Sequence, residues 1–465
     1  LIIGSIRVCS ETSSDLHLLV GITTAEGISM SAKPLIEKAS WTLVDQGVVS
    51  FGNFLLNLLL ARTLSEEDYG EFALFLGAIF ILRNIDYSLI SYPLSLRLCI
   101  ASDEERAGLL GNTVLLAATL ALVLVVVMAL GTTLLEFDNI VLPACLCYLC
   151  WQAQETSRRC LLADFLYRAA VAGDGIAFVG QALLVGLLAW LDAITLPAAL
   201  YVMSVTFGIG AIVHASKLRY AWPDFADARL LAREYLSIGK WSLINYQLVL
   251  TRFQLLPWVL AAFAGTAATA SLQAGLNIAN MMNPIIMGMG NAIPQLAAHA
   301  YRAGDTIGAA RAVYGYVLFG LGPILLIAVV AVLMPELLLR LAYGPSSPYL
   351  TLATGLQLLA AACVLEYIAE MINKTLLGVQ AGSLASLVNV LALGAAVVLA
   401  FALIGQLGAF GACVALLLAN LVRATGAVIA IAWLIANERS RAPVRSAAAV
   451  SPVPIDKTHA APTER

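Results

Sequence analysis

The chain has 465 residues, 61% of them hydrophobic and 12% charged, whereas a soluble domain carries roughly 25% charge. That composition excludes a soluble enzyme, and no nucleic-acid partner is expected. The net charge of −3 says nothing about partners, because the basic residues are sorted along the chain rather than present in excess.

Residues 1–29 lack the continuous apolar core of a secretory signal. Met30-Ser31-Ala32-Lys33 reads as a start, so 1–29 reads as an upstream extension or a tail, and 1–37 is expected to be cytoplasmic. Apolar runs of about 17 to 25 residues, enough to cross about 30 Å of hydrocarbon as a helix, then recur twelve times. They fall at 41–61, 71–96, 109–134, 139–161, 170–191 and 195–216, and again at 238–263, 270–296, 312–339, 350–374, 383–405 and 411–436. The expected fold is an all-α integral membrane protein of about twelve transmembrane helices. One six-helix bundle covers 38–216 and a second covers 238–436. The connection 217–237 carries Lys217, Arg219, Asp224, Asp227, Arg229, Arg233 and Glu234 and reads as an amphipathic segment on the membrane surface. From residue 437 the chain is rich in Ala, Pro, Ser and Arg, and a disordered tail is expected over 437–465.

Nearly all of the 26 Lys and Arg fall in the tails and in alternate connections, while the other connections keep only Arg62 and Arg340. Basic residues near span ends resist export, so both termini are expected in the cytoplasm. The connections are short, and no P-loop pattern is present. Energy is therefore expected from an ion gradient or from the substrate's own gradient. The two halves also repeat at an offset of 200 residues: Trp41, Leu55, Leu56, Leu60 and Ala61 recur as Trp241, Leu255, Leu256, Leu260 and Ala261, with Asp45 opposite Asn245. Two six-span halves of equal sense form a parallel repeat, which places a substrate site between them near the midplane.

An arginine at the bilayer centre costs about 2.5 to 3.5 kcal/mol on insertion scales, and three occur at that depth: Arg83, Arg252 and Arg423. Asp86 lies three residues after Arg83, at the spacing of an intrahelical pair. Arg252 has no acid in its own span, and its forked donors suit a phosphate or pyrophosphate. Ion pairs between helices are the structural alternative for all three. In the eighth span Gln273, Asn277, Asn280, Asn291 and Gln295 project within about 60° of one another, with Pro284 between them. Amides both donate and accept, as sugar hydroxyls require, and they also join helices. Glu366, Glu370 and Lys374 follow at successive fours in the tenth span. A buried carboxylate at Glu366 or Asp45 suits coupling to a proton or Na⁺, and Glu155 with Arg159 reads as an ordinary helix pair. Cys145, Cys147 and Cys150 read as small packing residues, with no metal site and no cofactor expected.

Leu60-Ala61-Arg62-Thr63-Leu64-Ser65-Glu66-Glu67-Asp68-Tyr69-Gly70 leaves the first span and starts the second at capping-box spacing. It resembles the L-A-R-x-L-x-x-x-x-Y-G signature of the polysaccharide exporters and oligosaccharide flippases of the MOP superfamily, relatives of the MATE transporters. Gly405-Gln406-Leu407-Gly408-Ala409-Phe410-Gly411 is similar to a late G-x-x-G element of that family. The resemblance implies a V-shaped fold in a bacterial inner membrane. It also implies the flipping of a lipid-linked oligosaccharide or polysaccharide precursor, contacts with glycan assembly enzymes, and a central cavity in which Arg83, Arg252 and Arg423 meet the phosphate-bearing head. A multidrug or cation antiporter of the same superfamily is the nearest alternative, kept open by Asp45 and Glu366. An enzyme, a membrane-embedded glycan polymerase or ligase, is disfavoured by the short outer connections, and no catalytic residue is assigned.

Overall fold

The computed structural model describes residues 33–98, 101–164, 166–303 and 305–449. Among them there is no strand, and the helices follow one another with short connections. The amino-terminal half contains α1 (Lys33–Thr63), α2 (Glu66–Leu98), α3 (Asp103–Leu134), α4 (Val141–Ala163), α5 (Tyr167–Trp190) and α6 (Leu196–Ala215). The carboxyl-terminal half contains α7 (225–264), α8 (266–303), α9 (Thr306–Leu333), α10 (Ala353–Gly378), α11 (382–407) and α12 (409–449). A short helix, Pro335–Tyr343, sits between α9 and α10.

Nine described helical stretches are long and apolar enough to cross a membrane, and the chain is a multi-pass membrane protein. Two of the nine fold back on themselves. Gly265 (φ 84°, ψ 174°) and Gly408 (φ 56°, ψ −135°) adopt backbone conformations that a Cβ would strain, and each turns one long stretch into an antiparallel pair. α4 has the length to cross, at 23 residues, but Gln152, Gln154, Glu155, Arg158 and Arg159 dilute its apolar character. With these three additions the twelve expected crossings are accounted for. The last helix runs on to Ala449, beyond the disordered start expected at residue 437; the Ala and Arg of that segment are strong helix formers. Residues 1–32 and 450–465 lie outside the described residues.

Local chemistry sets the helix starts. Ser65 accepts from the amide of Asp68 at 3.1 Å, and Glu66, Glu67 and Asp68 sit on the positive end of α2. Ser102 and Glu105 form a capping box on α3, and Asp224 caps α7. In α8 a 3₁₀ turn, Asn280–Met282, precedes Pro284, whose ring cannot continue the regular bonding pattern.

One face of the bundle carries the turns at Gly265 and Gly408 and the α1–α2 connection; we call it the hairpin face. The opposite, terminal face carries the α6–α7 linker and the described chain ends. At the hairpin face a single apolar cluster spans both halves: Leu56, Leu60, Tyr69 and Phe72 pack with Ala270, Ala274, Tyr343 and Tyr349. Along one side of the seam α2 lies against α7, with Gln247 donating to the Ile81 carbonyl at 3.2 Å and Tyr87 meeting Tyr246 edge-on at 5.4 Å.

Candidate functional site

Each half buries a cluster of charges that hydrocarbon alone would reject. In the amino-terminal half the centre is Arg158 on α4. Its Nε donates to Asp174 Oδ2 of α5 at 2.5 Å, its Nη2 donates to Asp45 of α1, and Glu155 lies 3.8 Å away. Asp174 also accepts from Gln154 at 2.6 Å and stands 3.6 Å from His214 of α6, whose Nε2 is 2.9 Å from the Ala170 carbonyl. A π-helical turn, Gly175–Gly180, follows Asp174 directly, a distortion frequent at functional positions. Asp45 Oδ1 and His214 Nδ1 are buried without a hydrogen-bond partner among the described residues.

In the carboxyl-terminal half the centre is a carboxylate. Glu366 of α10 accepts from Arg252 of α7 at 2.8 and 3.0 Å and from Arg423 of α12 at 2.6 Å. Arg252 also donates to Asn420, and Arg423 donates to Asn389 of α11 at 3.0 Å and to Glu370 at 2.5 Å. Lys374 continues the chain 3.4 Å from Glu370. Arg252 and Arg423 are each 1% exposed. The acid absent from Arg252's own span is thus supplied by α10. The substrate-binding candidates Arg252 and Arg423 and the ion-coupling candidate Glu366 form one network.

The two clusters draw on α1, α4, α5 and α6 in one half and on α7, α10, α11 and α12 in the other, with an arginine at the centre of the first and a glutamate at the centre of the second. The reading from sequence found Asp45 and Glu366 but missed Asp174, His214, Asn389 and Asn420. Their signal was weak, because one polar residue per span is common. The run Gln154-Glu155-Arg158-Arg159 in an otherwise apolar span was the usable clue.

Arg83 differs from the other two intramembrane arginines. Its side chain is 32% exposed, lies 3.8 Å from Glu155 and stacks over Phe80 and Trp151. The close Asp86 pair expected from spacing gives way to this one: Asp86 is buried and accepts from Ser91 at 3.4 Å. Glu155 pairs with Arg159 at 2.7 Å, as the i,i+4 spacing indicates, while also serving Arg83.

The amide stripe of α8 divides in two. Gln273 donates to Asn57 of α1 at 3.5 Å and Asn277 to the Tyr343 hydroxyl at 3.4 Å, both at the hairpin face. Toward the terminal face Asn280, Asn291 and Gln295 are exposed, as are Gln46 and Phe51 on α1. Beyond the Asn57–Gln273 pair α8 stays in contact with α1 through its segment 283–303. The side chain of Asn245 lies outside the described residues.

With this geometry in view, the comparisons carry specific content. Residues 242–404, α7 to α11, match the MatE family model. No curated protein matches the chain significantly. Solved structures match over most of its length. An inward-facing multidrug resistance MATE family transporter of the MOP superfamily covers 88% of this chain and all (100%) of its own, at 13% identity and a TM-score of 0.65. The lipid II flippase MurJ, in an inward closed conformation, covers 85% of this chain and 87% of its own, at 12% identity and a TM-score of 0.69. A MOP superfamily transporter from Pyrococcus furiosus, whose binding pocket has reverse polarity, covers 86% and 94%, at 15% identity and a TM-score of 0.60. At such identities the likeness is one of fold, and this chain has the MOP-type fold.

Proposed function

We propose that this protein flips a lipid-linked oligosaccharide or polysaccharide precursor across a bacterial inner membrane by alternating access, with its terminal face in the cytoplasm. The observation that carries this reading is the polar chemistry open to the surroundings at membrane depth: uncharged, exposed amides at Asn280 and Asn291 on α8 and the partly exposed guanidinium of Arg83 on α2. Amides suit sugar hydroxyls, and a guanidinium suits the phosphate that joins glycan to lipid. The MATE and MurJ relatives in fold support transport as the class of activity.

In this reading Arg83 is the first contact for the phosphate. Gln273, Asn277 and Asn245 take up the glycan as the halves exchange faces. Arg252 and Arg423 are reached only when the substrate's phosphate displaces Glu366. Asp45, with its unpartnered oxygen, takes up the coupling proton or Na⁺, and glycan assembly enzymes hand over the substrate. A multidrug or cation antiporter is the second reading, favoured by the buried carboxylates Asp45 and Asp174.

The test is reconstitution in liposomes with a fluorescent lipid-linked oligosaccharide, scored by the fraction that reaches the opposite leaflet. Arg83→Ala is expected to slow flipping about tenfold, the consequence of losing roughly 1.4 kcal/mol of a charge-assisted contact. Efflux of an organic cation with no movement of the labelled lipid would replace the flippase by the antiporter.

A further inference from the structure

We infer that the segment Arg62–Gly70 is the outer gate of the transport cycle, a latch that fastens the two halves together at the hairpin face. The inference rests on alternating access, and it assigns a task to a motif that the proposed substrate contacts leave unused.

Three residues of this segment reach across the seam, each by a different kind of contact. Arg62, at the end of α1, donates through Nη2 to the Leu341 carbonyl at 2.6 Å and through Nε to the Ala342 carbonyl. Those carbonyls end the helix Pro335–Tyr343, where the last turn has no intrahelical donors and the dipole is negative, so a guanidinium there is both a cap and a countercharge. Tyr69, fully buried, sets its ring 6.2 Å from Tyr349, which in turn meets Tyr343 at 5.2 Å. The Tyr343 hydroxyl then donates to the Ala274 carbonyl of α8 at 2.9 Å. Gly70 lies so close to the Gly265 turn that a Cβ would fall 1.9 Å from the Thr266 carbonyl oxygen. Ser65, capping α2 from within the segment, fixes the turn that presents all three.

The contacts have the composition of a reversible joint. Arg62 is exposed, so water replaces its carbonyl partners when the joint opens, and the Gly70 contact is close packing with no bond to break. Asn57 and Gln273 add a polar contact between α1 and α8 at 3.5 Å. The halves are thus joined at the hairpin face in this state.

The experiment uses the full chain with its native cysteines replaced and one reporter, Ala270→Cys, in the apolar cluster beneath the latch, where Ala270 is 0% exposed. Reconstituted protein is treated from the hairpin side with a membrane-impermeant maleimide. The intact latch should leave the reporter nearly unlabelled. Arg62→Ala and Gly70→Val should each speed labelling at least fivefold, while Arg62→Lys should restore part of the protection. A thermal melt in detergent separates opening from unfolding, and because Arg62 is exposed its alanine variant is expected to remain folded. Unchanged labelling in both folded variants would overturn the gate assignment. Labelling reads the gate and lipid movement reads the substrate, so a failure of the flippase reading alone would leave the labelling result standing.

Discussion

The two halves solve the same problem with opposite majorities. In the amino-terminal half one guanidinium, Arg158, is bracketed by the carboxylates of Asp45, Asp174 and Glu155. In the carboxyl-terminal half one carboxylate, Glu366, is bracketed by the guanidiniums of Arg252 and Arg423. A central charge with several partners tolerates the loss of one of them, whereas loss of the centre strands every partner in the low-dielectric interior. The carboxylate-rich cluster retains an Asp45 oxygen without a hydrogen-bond partner among the described residues, and it is this oxygen that the proposed coupling ion would meet.

The largest effect is expected where the centre is removed without replacement. Glu366→Ala leaves Arg252 facing only Asn420 and Arg423 facing Glu370 and Asn389, and removing one member of a buried ion network costs about 3 to 5 kcal/mol. Folded protein recovered from membranes should fall sharply, with a large drop in melting temperature in detergent. Normal recovery and melting would mean that the carboxyl-terminal cluster is not a closed network.

Asp45→Asn should cost less, because Arg158 keeps Asp174 at 2.5 Å and Glu155 at 3.8 Å. The loss is one hydrogen bond to a charged group, about 1.5 to 3 kcal/mol. Its main consequence is expected in transport, whose dependence on a proton or Na⁺ gradient should disappear while gradient-independent movement persists. If this variant melts as low as Glu366→Ala, the asymmetry between the halves is not real. If gradient dependence survives, the coupling site is elsewhere.

The parts of this arrangement that were legible in the sequence follow the distance over which each signal acts. Span positions and the second hairpin glycine are local: hydropathy sets the former, and Gly408 sits within the late glycine-rich element, whereas Gly265 stands in no motif and went unread. Arg83, Arg252 and Arg423 stand out because a charge at membrane depth is conspicuous wherever its partner lies. The partners themselves were not legible. Glu366 meets Arg252 across 114 positions and Asp45 meets Arg158 across 113, and periodicity carries no information over such separations. The pairing Arg83 with Asp86 was inferred from nearness in sequence, and it failed because Glu155, on another helix, was nearer in space.

The smallest expected effect bears on whether the polar stripe of α8 binds substrate or joins helices. Gln273 bonds Asn57 across the seam and Asn277 bonds Tyr343 within its own half, so truncating either removes an interhelical bond worth about 0.6 kcal/mol. Asn291 lies on the same stripe but is exposed, and its side chain makes no hydrogen bond among the described residues. Asn291→Ala should therefore leave the melting temperature within the shift that about 0.5 kcal/mol produces, while slowing movement of the labelled lipid-linked oligosaccharide severalfold. The opposite outcome, a clear loss of stability with transport unchanged, would make Asn291 a packing residue. That result would remove half of the chemistry on which a glycan, rather than an organic cation, is proposed as the substrate. The comparison between the halves would survive it, because each cluster is held by its own buried ion pairs.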